Sequence, residues 1–213
     1  MKKLVRVLLG VCLLWLPVWA LADQADSPTV LVWGDSLSAA YGFGRDDGWV
    51  ALLQARVAAR DIVVVNASIS GETTQGGLTR LPAALATHRP AWVILELGGN
   101  DGLRATPVRQ IEQNLARMIE LSHEHGARIL LLGMRIPPNY GPAYSDAFAA
   151  LYPRLAKQHD IALVPFFLKD VATDPALMQA DGIHPTAAAQ PRLLDNVWPY
   201  FVKLLPETAT AGR

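Results

Sequence analysis

Cysteine is nearly missing from this sequence: the single one, Cys12, sits inside an N-terminal apolar run. Without pairs to bridge, the chain must be held by its core, and thiol catalysis and cysteine-rich metal sites are excluded. An excess of one charge is missing too. Basic and acidic residues number 19 each, and Lys2, Lys3 and Arg6 belong to the N-terminal segment, so the remainder is mildly acidic. That balance gives no reason to expect nucleic acid or an anionic membrane surface as a partner. There is no phosphate loop, dinucleotide fingerprint or metal-ligand cluster, and no internal repeat or linker. What is abundant is apolar residue, 51% of the 213, enough for one packed domain of ordinary size.

The N-terminus reads as a targeting signal. Three basic residues precede an apolar stretch from Leu8 to Trp19, followed by Ala20-Leu21-Ala22. This order predicts a secretory signal peptide over residues 1–22, cleaved after Ala22, and a periplasmic or secreted product. The stretch is short for a membrane span, and Pro17 and the Ala-x-Ala site favour removal over an uncleaved anchor. Cys12 is followed by more apolar sequence, unlike a lipid-attachment cysteine. The expectation is a single domain over residues 23–213 with its core at 29–205, monomeric, with no stable membrane span after cleavage.

Apolar runs suited to buried parallel strands recur at residues 29–33, 62–66, 92–97, 128–132 and 161–164. Helical faces lie between them: Trp49, Leu52, Leu53 and Val57; then Ile111, Leu115, Met118 and Ile119; then Phe148, Leu151, Tyr152 and Leu155. A last helix carries Leu193, Leu194, Val197, Trp198, Phe201 and Val202, with a kink expected near Pro199. Trp49, Trp92 and Trp198 read as core. Strands alternating with helices predict an α/β fold with a parallel sheet covered on both faces.

Polar, glycine-rich segments follow the first three strands: Gly34-Asp35-Ser36-Leu37-Ser38, Asn66 to Glu72, and Gly98-Gly99-Asn100-Asp101. A fourth, Asp181-Gly182-Ile183-His184-Pro185, precedes the last helix. A tight turn after a buried strand lifts Ser36 to the sheet edge, where open α/β sheets bind ligands. A serine hydroxyl needs a histidine to take its proton and a third group to hold the imidazole. His184 supplies the first, and Asp181, three residues back across a glycine, folds onto the ring to supply the second. Pro185 restricts His184 to extended backbone. The backbone N–H groups of Ser36 and Gly71 and the amide of Asn100 are candidate donors to an oxyanion. Each segment alone also fits plainer roles: helix caps at Asp35, Ser36, Ser38 and Asn100, and turns at Gly71 and 181–185. Their coincidence in one chain favours chemistry. His88, His123, His125 and His159 read as surface residues, Asp35 and Asp101 as structural, and Glu96 as a rival acid without a nearby partner.

These blocks resemble the SGNH (GDSL) hydrolase superfamily. Longer stretches are similar to its periplasmic acyl-CoA thioesterase I group, whose members are also described as protease I, lysophospholipase and arylesterase: Val65 to Gly71, Glu96 to Arg104, Pro137 to Gly141, Val164 to Phe167 and Met178 to Pro185. The resemblance spans nearly all of 29–205. It implies a flavodoxin-like three-layer αβα sandwich with a five-stranded parallel sheet, and hydrolysis of acyl esters and thioesters without a cofactor. It places the nucleophile on Ser36, the base on His184, the orienting carboxylate on Asp181 and oxyanion binding on Gly71 and Asn100, beside the Ser36 N–H read from the residues. The loop Met134 to Tyr140 falls where relatives line the acyl groove, so Arg135, Pro137, Asn139 and Tyr140, with Ile183, Gly71 and Asn100, are expected to contact substrate. Glu72 stands where aspartate is usual, and Met134 where a branched aliphatic is usual. Small-molecule or lipid acyl esters are the expected substrates. The alternatives are a narrow aryl esterase or carbohydrate acetylesterase of the same fold, and a catalytically idle binding protein.

Overall fold

The computed structural model describes residues 27–206, and the predicted signal peptide lies outside them. Five strands form one sheet: β1 Thr29–Gly34, β2 Val63–Asn66, β3 Trp92–Glu96, β4 Arg128–Leu132 and β5 Ala162–Val164. Their order is β2-β1-β3-β4-β5 and every pairing is parallel. Their near-continuous apolar sequence is what strands buried on both faces require. Val30, Leu31, Val32, Ile94, Leu130, Leu131 and Leu132 are fully buried. The third run stops one residue earlier than predicted, because Leu97 turns its carbonyl to the Tyr152 hydroxyl and Gly98 follows at φ +112°.

Six helices complete three layers: α1 Trp49–Val57, α2 Thr74–His88, α3 Gly99–Leu103, α4 Val108–Glu124, α5 Pro142–His159 and α6 Gln190–Phe201. Helices α1 and α6 pack together, as do α2, α4 and α5, giving the flavodoxin-like sandwich. Helix α2 had no sequence prediction, since Gly76, Gly77 and Pro82 interrupt it. Packing overrides propensity there: a Cβ on Gly77 would lie 2.5 Å from Leu97 Cδ1, so glycine lets α2 approach the sheet. Thr73 caps α2 by accepting the Gly76 N–H. Trp49 and Trp92 are core residues as expected, whereas Trp198 is only partly buried and lies under Arg56. Helix α6 continues through Pro199 and tightens into a 3-10 turn at Val202–Leu204. Among the described residues no helix is long and apolar enough to cross a membrane.

The chain leaves β1 toward β2 on one side and later enters β3 on the other. The carboxyl ends of β1 and β3 therefore flank the switch point, where such sheets bind ligands.

Candidate active site

Gly34 and Glu96 are register partners at the ends of β1 and β3. A Cβ at 34 would lie 2.6 Å from Glu96 Oε2, so only glycine lets this carboxylate under the turn. Glu96 Oε2 accepts the Asp35 N–H (3.2 Å) and the Ser38 hydroxyl (2.7 Å). Asp35 Oδ1 accepts the Leu37 N–H at 3.0 Å, and the Ala39 N–H returns to the Asp35 carbonyl at 2.9 Å. The result is a single helical turn after the strand, closed by Ala40 at φ +61° and by the Tyr41 N–H on the Ser36 carbonyl.

Ser36 stands on this turn with its hydroxyl 3.0 Å from His184 Nε2. His184 Nδ1 lies 2.7 Å from Asp181 Oδ2, while Asp181 Oδ1 accepts the backbone N–H groups of Ile183 (2.9 Å) and His184 (3.0 Å). The His184 backbone N–H, then its ring, then the Ile183 N–H hold the Asp181 carboxyl down to about 2. An ionised Asp181 accepts only, which fixes the proton on Nδ1 and leaves Nε2 to receive the serine proton. Gly182 at φ +68° makes this tight return possible. The loop is pinned by the Gln179 N–H on the His184 carbonyl (2.7 Å) and by a Met178–Pro185 bridge.

Gly71 follows β2 at φ +79°. Neither its N–H nor that of Ser36 has a protein acceptor among the described residues. Asn100 differs: its amide nitrogen donates to Asp35 Oδ2 and to the Glu72 carbonyl, each at 3.0 Å. Both amide hydrogens are thus engaged in the resting site. Asp101 accepts the Thr74 N–H (2.8 Å) and hydroxyl (2.7 Å), joining β3's end to α2.

Glu96, expected to lack a partner, has one. It is fully buried beside Asp35, and burial first, then the Asp35 charge, push its carboxyl well above the ordinary range. Burial likewise raises Asp35 to about 6, against the lowering effects of the Leu37 N–H, His184 and Asn100.

A cavity of about 630 Å³ opens beside Ser36 and His184. Leu37, Leu103, Met134, Ile136, Phe166 and Leu168 make it mainly apolar, and Arg135, Pro137, Asn100 and Ile183 also line it. Asn139 and Tyr140 do not. The 3-10 turn Pro138–Tyr140 carries them off the wall, and the Tyr140 hydroxyl donates to the Leu103 carbonyl instead. Gly71 also lies outside the wall. Sequence reasoning missed the far side, Ala172, Thr173 and Met178, and missed Tyr41, whose ring lies 4.3 Å from the His184 ring. No spacing signal pointed to either.

Known proteins share this sequence and fold. The esterase TesA of Pseudomonas aeruginosa is 57% identical over 187 residues, 87% of this chain and 93% of that protein. The thioesterase 1/protease 1/lysophospholipase L1 of Escherichia coli K12 is 48% identical over 171 residues, 80% of this chain and 82% of its own. A crystal structure of TesA superposes with a TM-score of 0.81 at 57% identity, covering 83% of this chain and 99% of that one. With the sequence profile of the GDSL-like lipase/acylhydrolase family matching residues 32–191, this chain belongs to that family.

Proposed function

We propose that this protein is a serine esterase and thioesterase that hydrolyses acyl esters through an acyl-enzyme on Ser36. The observation that carries the reading is the continuous chain from Asp181 through His184 to the Ser36 hydroxyl, with links of 2.7 and 3.0 Å. Ser36 Oγ attacks the acyl carbonyl while His184 Nε2 takes its proton. The same proton passes to the departing alcohol or thiol, and water repeats the sequence to release the carboxylic acid. The N–H groups of Ser36 and Gly71, free of protein acceptors among the described residues, receive the oxyanion. Asn100 joins them by turning one amide hydrogen from Asp35 to the substrate oxygen.

The apolar cavity supports a medium to long acyl chain, each buried methylene contributing about 0.8 kcal/mol. The names of the relatives, esterase, thioesterase and lysophospholipase, support breadth in the leaving group. With residues 1–22 read as a signal peptide, the mature protein is a periplasmic or secreted monomer of one domain. Lysophospholipids and related lipid esters then fit better than cytoplasmic coenzyme A thioesters. Steady-state rates on acyl esters of increasing length test this: activity peaking at acetyl and vanishing by octanoyl refutes the lipid reading in favour of a narrow esterase. A fluorophosphonate probe should label the wild type and spare Ser36→Ala. An unlabelled wild type indicates an idle binding protein.

A further inference from the structure

Tyr41 is 49% exposed, one of few large apolar side chains so open, yet its position is tightly fixed. Its N–H donates to the Ser36 carbonyl at 3.3 Å and its carbonyl accepts from Gln179 Nε2 at 2.9 Å. The same Gln179 nitrogen donates to the Pro185 carbonyl at 2.9 Å, so one side chain ties Tyr41 to the His184 loop. Two unusual backbone positions flank the ring. Ala40 takes a left-handed conformation, φ +61°, that a side chain adopts only at a cost. Gly42 sits at φ +88°, where a Cβ would lie 2.6 Å from Gln179 Oε1. The backbone around Tyr41 is strained and bonded to one end: the ring lies over the His184 imidazole, centroids 4.3 Å apart and planes 35° apart. Tyr41 takes no part in the wall of the apolar cavity, and half-exposed as it is, it contributes little to the core.

We infer that Tyr41 is a positioning residue for His184: its ring covers one face of the imidazole, keeps it on the line from Asp181 to Ser36, and stabilises the imidazolium formed as Ser36 loses its proton. The inference rests on His184 being the general base. The face of an aromatic ring carries partial negative charge and attracts a cation lying over it within about 6 Å. This attraction exists only while His184 is protonated, so it acts on both transition states and scarcely on substrate binding. The other charges near the imidazole are Asp181, hydrogen-bonded to Nδ1, and Asp35 beneath Ser36, with Glu96 behind it. All remain in place when Tyr41 is changed.

The test is the pH dependence of kcat/KM and the separate values of kcat and KM for Tyr41→Phe and Tyr41→Leu, using one acyl ester. Leucine keeps the imidazole covered but removes the ring's charge distribution. At the plateau, kcat should fall about two- to fivefold with KM unchanged. The acid limb should move about half a unit toward lower pH, because the protonated imidazole loses its partner. Tyr41→Phe should restore both. A Tyr41→Leu profile that is unmoved or shifted upward, a loss confined to KM, or a Tyr41→Phe as impaired as the leucine variant overturns the inference. Unfolding midpoints at the wild-type value show that each variant is folded. His184→Ala separates the two readings: if it keeps wild-type turnover, the general-base assignment fails, whereas its inactivity alongside a normal Tyr41→Leu refutes the role of Tyr41 alone.

Discussion

Asp35→Asn tests how much the turn under Ser36 costs the fold. Burial raises Asp35 from 3.8 to about 6 even though three groups pull it down. At about 1.4 kcal/mol per pH unit, ionising it in the folded protein costs about 3 kcal/mol more than in the unfolded chain. The sign follows from the raised folded value. Below about pH 4 both states keep the proton and the penalty is absent. Between about pH 4 and 6 the unfolded chain releases its proton first, so stability falls as pH rises; above about 6 the loss is complete. Urea unfolding of wild type and Asp35→Asn from pH 3.5 to 8 isolates the effect, since the change in hydrogen bonding shifts all points equally. The difference in unfolding free energy, wild type minus variant, should drop by about 3 kcal/mol across that window and then level off. Glu96 occupies the same space and is itself raised in part by the Asp35 charge, so the two titrate as a pair and Glu96→Gln should remove further slope. A difference that is flat with pH, or that rises with it, refutes the argument that burial dominates at Asp35.

Four other substitutions test separate links. Asp181→Asn leaves an imidazole with the wrong tautomer and should lower kcat by about ten-thousandfold, and Ser36→Ala by about a millionfold; near wild-type turnover in either contradicts the assigned roles. Gly98→Ala places a methyl group against the Tyr152 hydroxyl at φ +112°, and overpacking with left-handed strain should cost about 3 kcal/mol by urea unfolding. Thr73→Ala removes the cap on the Gly76 N–H and should cost about 1 kcal/mol by the same measurement, with the fluorophosphonate reaction unchanged.

Legibility in the sequence followed how local each signal was. Strands β1, β3 and β4 were readable because burial on both faces leaves uninterrupted apolar sequence. The Asp181–His184 contact was readable because three residues and a glycine determine it. Helix α2 was not, since Gly77 is there for contact with Leu97 and Trp33, residues distant in the chain. Asn139 and Tyr140 were expected in the groove by analogy with the loop's position, but a single 3-10 turn decides which side chains face it. Glu96 was visible as an acid at a strand end, and only the β1–β3 register reveals that it meets Asp35.

What could not be read locally is also what is energetically unfavourable. Asp35 and Glu96 are two carboxyl groups 2% and 0% exposed, Glu96 with its Oε1 lacking a hydrogen-bond partner among the described residues, and Ala40 lies in the left-handed region. None of these improves the core, and an apolar turn would cost less. Each acts on the geometry around one hydroxyl: Glu96 anchors Ser38 and the Asp35 N–H, Asp35 holds Leu37 and Asn100, and Ala40 directs Tyr41 toward His184. Unfavourable terms persist where surrounding structure enforces them, and they gather at sites under functional constraint. Here Asp35 and Ala40 lie within six residues of the end of β1 and Glu96 lies across the register from it at the end of β3, so the stability of the sheet is what keeps Ser36 aligned with His184.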